Sequence, residues 1–318
     1  MSKAVDTNVK TNRKQALKSE TKFAIIGFLF ALPGIIYLIG LNLVPIIQSA
    51  YYSMCNYSVL SKPVFTGLAN YKELFHDSNF YQALYNTFYM VLATPVALSF
   101  ALFLATLLNM KVKAMYVYRT IFYLPTLVPT IVTAILWRWI FNAEYGILNR
   151  ITEIIGIEGP LWLIEPEWTK PAIVIMGLWG VGSTMIIYLA ALQGVPDSLY
   201  ESADLDGANI LHKFWYITFP FISPVTLFLL LTTVIYNFQM FTPAYVFAQS
   251  ADAFNIYGPG KSLLFYAFYI YNLAFRELRM GYASALAWIL FMACAIFTVI
   301  IFKTSLKWVY YDDGGNSR

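Results

Sequence analysis

Charged residues are scarce in this 318-residue sequence: Asp, Glu, Lys and Arg together make up 12% of the chain, whereas hydrophobic residues make up 59%. Soluble domains carry about 25% charged and about 45–50% apolar residues. This deficit excludes an ordinary water-soluble domain. The net charge of +4 comes largely from the N-terminal residues, and we attribute it to membrane orientation and not to nucleic-acid binding.

Cysteine and histidine are also rare, with two residues of each. Cys55 falls in an outer segment and Cys294 inside a predicted span, so we expect two free thiols. His76 and His212 fall on opposite faces of the membrane in the predicted topology and cannot share a metal ion or a reaction centre. We therefore expect no metal site, no catalytic residues and no cofactor held by this chain.

Long apolar runs dominate the rest of the sequence. Six of them are long enough to cross a hydrocarbon layer of about 30 Å as helices, at about 1.5 Å per residue. None has the period-2 alternation of a barrel strand. The sequence therefore predicts an all-α, polytopic membrane protein with about six transmembrane helices. The predicted spans are Phe23–Ile47, Leu84–Leu108, Tyr118–Phe141, Pro171–Leu192, Phe219–Phe247 and Tyr282–Phe302.

Basic residues set the expected orientation, because loops rich in Lys and Arg stay in the cytoplasm. The first span is too long for a signal-peptide core and is expected to remain as an anchor. We predict a basic cytoplasmic tail at 1–22, a six-helix domain at 23–302 and a cytoplasmic C-terminal tail at 303–318. The basic residues assigned to the inner side are Lys3, Lys10, Arg13, Lys14, Lys18, Lys22, Lys111, Lys113, Arg119, Lys213, Lys303, Lys307 and Arg318.

The segment Asn255–Ser262 imitates part of a phosphate-binding loop, because it ends in Gly-Lys-Ser. Asn255 replaces the first glycine of that motif, and the segment is expected on the outer face, away from cytosolic ATP. We interpret it as a turn formed by Gly258, Pro259 and Gly260. If the function uses ATP, another subunit must bind it.

The cytoplasmic loop 195–216, between the fourth and fifth spans, has the features of a helix-turn-helix bracket. Pro196 and Ser198 indicate a helix start, and Ser198 and Glu201 have the spacing of a capping box. Gly207 can adopt a positive φ, so it can end this helix before a second helix leads to Pro220.

Small residues on this bracket, Ala203 and Ala208, would allow close approach to a groove in a partner protein. Leu199 and Tyr200 would add apolar contact, and Glu201 a charge. An ordinary capped loop has the same spacing, and the residues alone do not decide between the two interpretations.

These residues resemble the loop motif of the permeases of binding-protein-dependent ABC importers, specifically the carbohydrate-uptake family of the maltose and glycerol-phosphate permeases. The family pattern is Glu-Ala-Ala, three residues, Gly, nine residues, then Ile-x-Leu-Pro. Ser202 and Phe219 are mild departures from it. The matching residues, with those typical of the carbohydrate variant, are Glu201, Ala203, Asp206, Gly207, Ala208, Phe214, Ile217 and Pro220.

The resemblance extends over nearly the whole chain after the basic tail, and it implies the six-helix fold of a type I ABC importer permease. Unlike the maltose-type member with extra N-terminal helices, this chain has a six-helix pattern. The other matching stretches are Phe65–Tyr71 in the first outer segment, Leu124–Pro125, Pro129 and Trp137–Asn142 around the third span, and Met280–Leu286 at the start of the sixth.

The resemblance also implies an assembly in the plasma membrane of a bacterium or archaeon. Its other members are two ATP-binding subunits that hold MgATP, a second permease, usually a different related chain, and an extracellular solute-binding protein. The bracket would be the coupling helix seated in the ATPase, with Glu201 as its polar contact and Gly207 as its hinge. The cargo would be a sugar or oligosaccharide that the sequence does not specify.

Four residues in the predicted spans are candidates for the solute pathway: Trp179, Tyr236, Asn237 and Gln239. Amides and aromatic faces suit a sugar. The competing explanation for each of them is helix packing, which is favoured over a role in the pathway. The main alternative function is a secondary transporter or channel, for which we would expect broken helices or an intramembrane acidic site. The sequence reveals neither clearly. A membrane scaffold or receptor lacks a soluble domain for recognition.

Overall fold

The computed structural model describes residues 21–110, 114–249 and 256–310. Most of the basic tail, Lys111, Lys113, Asn255 and Arg318 lie outside these ranges. The described residues are almost entirely helical, with one small antiparallel pair of strands, β1 (Cys55–Asn56) and β2 (Val64–Phe65). The helices are α1 (Thr21–Ser53), α2 (Ala69–Leu74), α3 (Ser78–Asn109), α4 (Met115–Tyr123), α5 (Thr130–Ile140), α6 (Ile147–Ile154), α7 (Pro166–Trp179), α8 (Gly182–Gln193), α9 (Asp197–Leu205), α10 (Ile210–Lys213), α11 (Phe219–Phe238), α12 (Thr242–Ala248), α13 (Tyr266–Tyr271) and α14 (Met280–Ser305).

Four segments are long and apolar enough to cross a membrane: α1, α3, the stretch from α10 to α12, and α14. Two further spans are bent pairs of helices, which brings the total to six if each pair counts once. The six predicted spans are therefore confirmed as apolar helical segments, and the all-α prediction is confirmed.

Breaks in the third and fourth spans are the main departure from the prediction, which saw no broken helices. The helical segment Met115–Leu127 and α5 meet at 100°, and α7 and α8 meet at 50°. Pro125 and Pro129 lack the N–H that a continuous helix needs, so residues 124–127 form a 3₁₀ turn instead. Gly180 ends α7 in the fourth span.

Helix ends also differ from the prediction. The fourth span begins at Pro166, before the predicted Pro171, because a proline fits the first turn of a helix. This places Lys170 inside the helix. Arg119, which we had counted among the inner-side basic residues, lies within α4, and this helix begins at Met115, before the predicted Tyr118.

Buried side chains join the broken spans to the straight ones. The helix α8 packs against the second half of α3 and against α4. Met185 and Tyr188 of α8 are buried with Ala101 of α3 and Ile222 of α11. A second cluster, around Phe141, Trp162 and Phe247, joins α5 to α12 and to the loop before α7.

The end of the bundle opposite the bracket is fixed by polar contacts around Asp77, the N-cap of α3. The Asp77 carboxylate accepts hydrogen bonds from the hydroxyls of Tyr269 at 2.5 Å and Tyr282 at 2.8 Å. Burial, together with the hydrogen bond to Asp77, raises the pKa of Tyr269, so its hydroxyl stays a donor. Nearby, Arg279 binds both oxygens of Glu73, at 2.6 and 2.7 Å.

The segment that imitated a phosphate-binding loop lies at this same end, and its described part is a turn. Gly258 and Gly260 have φ values of 73° and 56°, and Pro259–Lys261 forms one 3₁₀ turn. The Lys261 ammonium donates to Asn79 Oδ1 at 2.6 Å. The prediction of a turn is confirmed for residues 256–262.

Gly182 is the point at which the two broken spans touch. A Cβ at this position would lie 2.3 Å from the carbonyl oxygen of Phe122 and 2.9 Å from Tyr123 Cα. Both are backbone atoms of the third span and cannot rotate away. Only glycine allows α8 to begin against the end of α4 at this distance.

We predict that Gly182→Ala lowers the thermal stability of the purified membrane assembly. The added methyl group must push two backbones apart, a change that costs about 1–3 kcal/mol. Gly177→Ala is the matched control, because it also replaces a helical glycine beside the same break but its Cβ would meet no atom within 4 Å. Thermal unfolding in detergent measures both, and equal melting temperatures for the two variants would contradict the contact.

Candidate functional site

The first helix of the bracket, α9, begins at Asp197, with the extended residue Pro196 as its N-cap. The helix start is therefore confirmed. The capping box is wrong, because no side chain caps this helix. Ser198 already lies inside the first turn, where its carbonyl oxygen accepts from Ser202 Oγ at 2.9 Å. Pro196 has the extended backbone of an N-cap residue, with φ −61° and ψ 130°, so the helix starts without a Ser198–Glu201 box.

The turn of the bracket is a Schellman motif that requires glycine. Gly207 has φ +73°, as its position after Asp206 predicted. The amide of Ala208 donates to the carbonyl of Ala203 at 2.9 Å, and the amide of Gly207 donates to Asp204 at 3.1 Å. A Cβ at Gly207 would meet no atom within 4 Å, so the requirement comes from the backbone angle and not from space.

Side-chain contacts hold the second half of the bracket against the first. Asn209 caps α10 by accepting from the His212 amide at 2.9 Å. Lys213 forms an ion pair with Asp204, across the turn. The Tyr200 hydroxyl lies 2.8 Å from Thr218 Oγ1, so it ties the bracket to its own chain, and the apolar contact of Tyr200 with a partner stays a prediction.

Beyond α10 the chain enters the fifth span through a π-helical turn, Phe214–Thr218. The Phe214 ring contacts the rings of Trp215 and Phe219, at centroid distances of 5.2 and 6.3 Å. Pro220 is the second residue of α11, directly after this turn. These two residues of the predicted motif therefore support the base of the bracket.

The bracket exposes three large apolar side chains around its turn. Leu205, Ile210 and Leu211 are 91%, 84% and 69% exposed, whereas Ala203 and Ala208 are half-buried. Sequence reasoning missed these three large residues because it searched for a small-residue face. The available signal was a leucine directly before the Asp-Gly turn and an Ile-Leu pair directly after the Asn cap.

A cavity of about 420 Å³ lies where the two broken spans meet α3 and α11. Trp179, Tyr236 and Asn237 line it, so the structure brings together three of the four predicted pathway residues. Gln239 is exposed at the end of α11 and is not among the lining residues. The sequence missed the hydroxyl groups of Thr and Ser on α5, α8 and α11, which also line the cavity.

Asn237 is 8% exposed, and its amide is used within the bundle. Its Nδ2 donates to the Met90 carbonyl at 3.1 Å and to Thr94 Oγ1 at 2.8 Å. Helix packing, the alternative that the sequence left open, therefore accounts for this side-chain nitrogen. Tyr236 and Trp179 are both exposed at the cavity surface.

Comparison with known proteins agrees with this geometry. The family model of the binding-protein-dependent transport system inner membrane component matches residues 93–311. The "Probable ABC transporter permease protein YesP" of Bacillus subtilis is 37% identical over 93% of this chain and 95% of the relative. The "Lactose transport system permease protein LacF" of Rhizobium radiobacter is 33% identical over 88% of this chain and 94% of the relative.

A further relative and a solved structure give the same result. The "Arabinooligosaccharides transport system permease protein AraP" of Bacillus subtilis is 35% identical over 87% of this chain and 88% of the relative. A chain of a bacterial ABC transporter that imports the acidic polysaccharide alginate has the same fold, with a TM-score of 0.78, 23% identity and coverage of 92% of this chain and 98% of that chain.

The family match covers more than half of the chain, and the alternative of a secondary transporter or channel is rejected. The chain is a transport subunit and not an enzyme. Although its two broken spans had been expected of the alternative, the six apolar helical segments and these relatives lead us to conclude that the chain belongs to the family of binding-protein-dependent transport system inner membrane components.

Proposed function

We propose that this chain is the carbohydrate-translocating permease of an ATP-driven importer, with the bracket docked on a separate ATP-binding subunit. The observation that carries the proposal is the exposed apolar surface of Leu205, Ile210 and Leu211. Large apolar side chains that protrude into water at the tip of a turn mark a docking surface. The names of the relatives, which specify lactose and arabinooligosaccharides, support a sugar or oligosaccharide as cargo.

The bracket suits a groove that is apolar at its floor and basic at its rim. Glu201 and Asp206 are exposed beside the leucines, and we propose that Glu201 pairs with a basic residue of the ATPase. Ala203 and Ala208, half-buried, would form the inner side of the fit. Two ATP-binding subunits would hold MgATP, and the other members of the assembly would be a second permease and a solute-binding protein.

Lysines at the end of the bundle that carries the bracket support an inward position. Lys213 lies in the bracket, Lys303 lies in the last turn of α14, and Lys307 follows that helix. Because basic loops stay in the cytoplasm, we propose that both termini and the bracket face inward. The same placement puts Asp77 and the turn at Gly258 on the outer side, where a solute-binding protein would dock.

The helix α8 would transmit motion from the ATPase to the cavity. It runs directly into the bracket through Gly194, Val195 and Pro196, and its 12 residues span about 18 Å. At its other end Gly182 touches the third span at the cavity. Closure of the ATPase pair around nucleotide would move the bracket and α8 as one body, and the cavity would open to alternate sides.

We predict that Leu205→Ser weakens binding of the ATP-binding subunit about tenfold or more, because burial of one leucine contributes about 1.5–3 kcal/mol. Leu60→Ser is the control, since Leu60 is 82% exposed but lies in the outer segment. Co-purification of the ATP-binding subunit with each variant measures the effect. The docking surface is misassigned if Leu205→Ser retains as much ATP-binding subunit as Leu60→Ser does.

We predict that Gly207→Val abolishes ATP-dependent uptake while the permease still reaches the membrane in normal amounts. A β-branched residue is strongly disfavoured at φ +73°, so the bracket loses its turn. Gly207→Asn is the matched variant, since asparagine tolerates this conformation better, and it should retain part of the activity. Uptake into proteoliposomes and stimulated ATP hydrolysis measure coupling; normal uptake by Gly207→Val would rule out the role of the turn.

We predict that substitutions of two neighbouring cavity residues affect different properties, uptake for one and stability for the other. Tyr236→Ala should reduce uptake several-fold with little change in melting temperature, because Tyr236 is exposed to the cavity and we propose that its ring contacts the sugar. Asn237→Ala should lower stability by about 1–3 kcal/mol, since Met90 and Thr94 lose a buried donor. Uptake and thermal unfolding of both variants separate the two roles, and unchanged uptake by Tyr236→Ala would remove it from the pathway.

A further inference from the structure

Lys170 is a charged residue in the first half of the fourth span, in the second turn of α7 and just before the predicted start of that span. Its side chain is half-buried between α7 and α3. The ammonium nitrogen lies 3.2 Å from Asn86 Oδ1, and 5.4 and 5.6 Å from the ring centroids of Tyr85 and Tyr89. One cation therefore faces two aromatic rings on a neighbouring helix.

The structure gives Lys170 no counter-charge. Across residues 21–110, 114–249 and 256–310 the ion pairs join Arg150 to Glu153, Lys213 to Asp204 and Arg279 to Glu73, and none of them includes Lys170. An ammonium has three donors, of which Asn86 accepts one. A half-buried charge near the end of a span, with no counter-charge beside it, is costly and is a candidate for a functional site.

Asn86 holds this arrangement in place. Its side chain is fully buried, and its Nδ2 donates to the carbonyls of Lys261 and Leu264 at 2.9 and 3.0 Å. Its Oδ1 also accepts from Gln82 Nε2 at 3.1 Å. Because the amide is fixed by the outer loop, the lysine is presented at a defined position.

The cluster lies one helical turn beyond the cavity, on the side away from the bracket. Ile173 and Val174, the next turn of α7, line the cavity, as does Met90, which follows Tyr89 on α3. One turn corresponds to about 5.4 Å. The lining of the cavity in the described part of the chain has no Asp, Glu, Lys, Arg or His, so Lys170 is the charge nearest to it along α7.

We propose that Lys170, flanked by Tyr85 and Tyr89, binds the carboxylate of an acidic sugar unit at the outer entrance of the cavity. The inference rests on the proposed carbohydrate transport and narrows its substrate class to saccharides that carry an acidic group. The ammonium supplies the counter-charge. The ammonium already lies over both tyrosine rings, and the exposed ring of Tyr85 offers its free surface to the apolar face of the sugar ring. Aromatic residues and a few polar groups share the recognition in such sites.

The test uses the complete assembly, with its ATP-binding subunits, second permease and solute-binding protein, in phosphatidylcholine liposomes. The cargo that co-purifies with the solute-binding protein is identified by mass spectrometry and used as the uptake probe. Uptake is compared for the wild type, Lys170→Gln, Lys170→Arg and Lys72→Gln. The last is the matched control, because Lys72 is an exposed lysine in α2, at the same end of the bundle.

We expect the cargo to contain a carboxylate. Lys170→Gln should lower the uptake rate roughly tenfold or more, because the carboxylate loses both its counter-charge and a charge-assisted hydrogen bond. Lys170→Arg should retain most of the rate, and Lys72→Gln all of it. Thermal stability and co-purification of the ATP-binding subunit should be the same for Lys170→Gln and the wild type.

Several outcomes would overturn the proposal. A neutral cargo would do so, and so would wild-type uptake by Lys170→Gln. Loss of the second permease from Lys170→Gln would make Lys170 an interface residue. Stabilisation of the wild type but not of Lys170→Gln by added phosphatidylglycerol, with unchanged uptake, would identify a lipid phosphate as the ligand. Uptake by the wild type that needs no ATP would refute the proposed function instead.

Discussion

Backbone amide and carbonyl groups at membrane depth must find hydrogen-bond partners within the protein, because lipid offers none. The two broken spans are where this constraint is hardest to meet. Pro125 and Pro129 have no N–H to donate. Hydrogen bonds between residues three apart, such as Val128 N to Pro125 O and Gly180 N to Gly177 O, replace the regular α-helical pattern there. Such breaks are tolerated where the backbone packs on protein or lines a cavity, and both conditions hold here.

The positions of the cavity and of the bracket follow from the contact between the two broken spans. Because Gly182 brings α8 against the end of α4, the cavity forms between the broken spans and the straight helices α3 and α11. The same helix α8 continues into the bracket. The opposite end, by contrast, is tied through Asp77, Glu73 and Arg279. One end is thus braced by its own side chains, and the other leaves apolar residues uncovered.

Sequence reasoning succeeded where one residue type or one long run decides the structure. Apolar length predicted six spans, and the glycine after Asp206 predicted a positive φ at the bracket turn. It failed where two distant parts of the chain decide together. The contact between Gly182 and Phe122 depends on packing between two spans. The hydroxyl of Tyr200 lies against Thr218, which is 18 positions further along the chain. No spacing rule encodes such contacts.

The candidate site divides in the same way. Trp179, Tyr236 and Asn237 were predicted from their chemistry, and all three line one cavity. That the Asn237 nitrogen is occupied by Met90 and Thr94 could not be read from α11 alone. Lys170 was missed because the predicted fourth span, chosen as an uncharged run, began at Pro171, whereas the helix begins at Pro166.

The left-handed residue at position 207 separates two kinds of constraint within one short loop. The apolar side chains around it must fit the surface of the partner protein, so they can change when that surface changes. The glycine is required by the positive φ of the turn, which L-amino acids with a side chain disfavour whatever the partner is. A permease engineered to bind the ATP-binding subunit of another transporter would therefore need new residues on both sides of the turn but would keep its glycine.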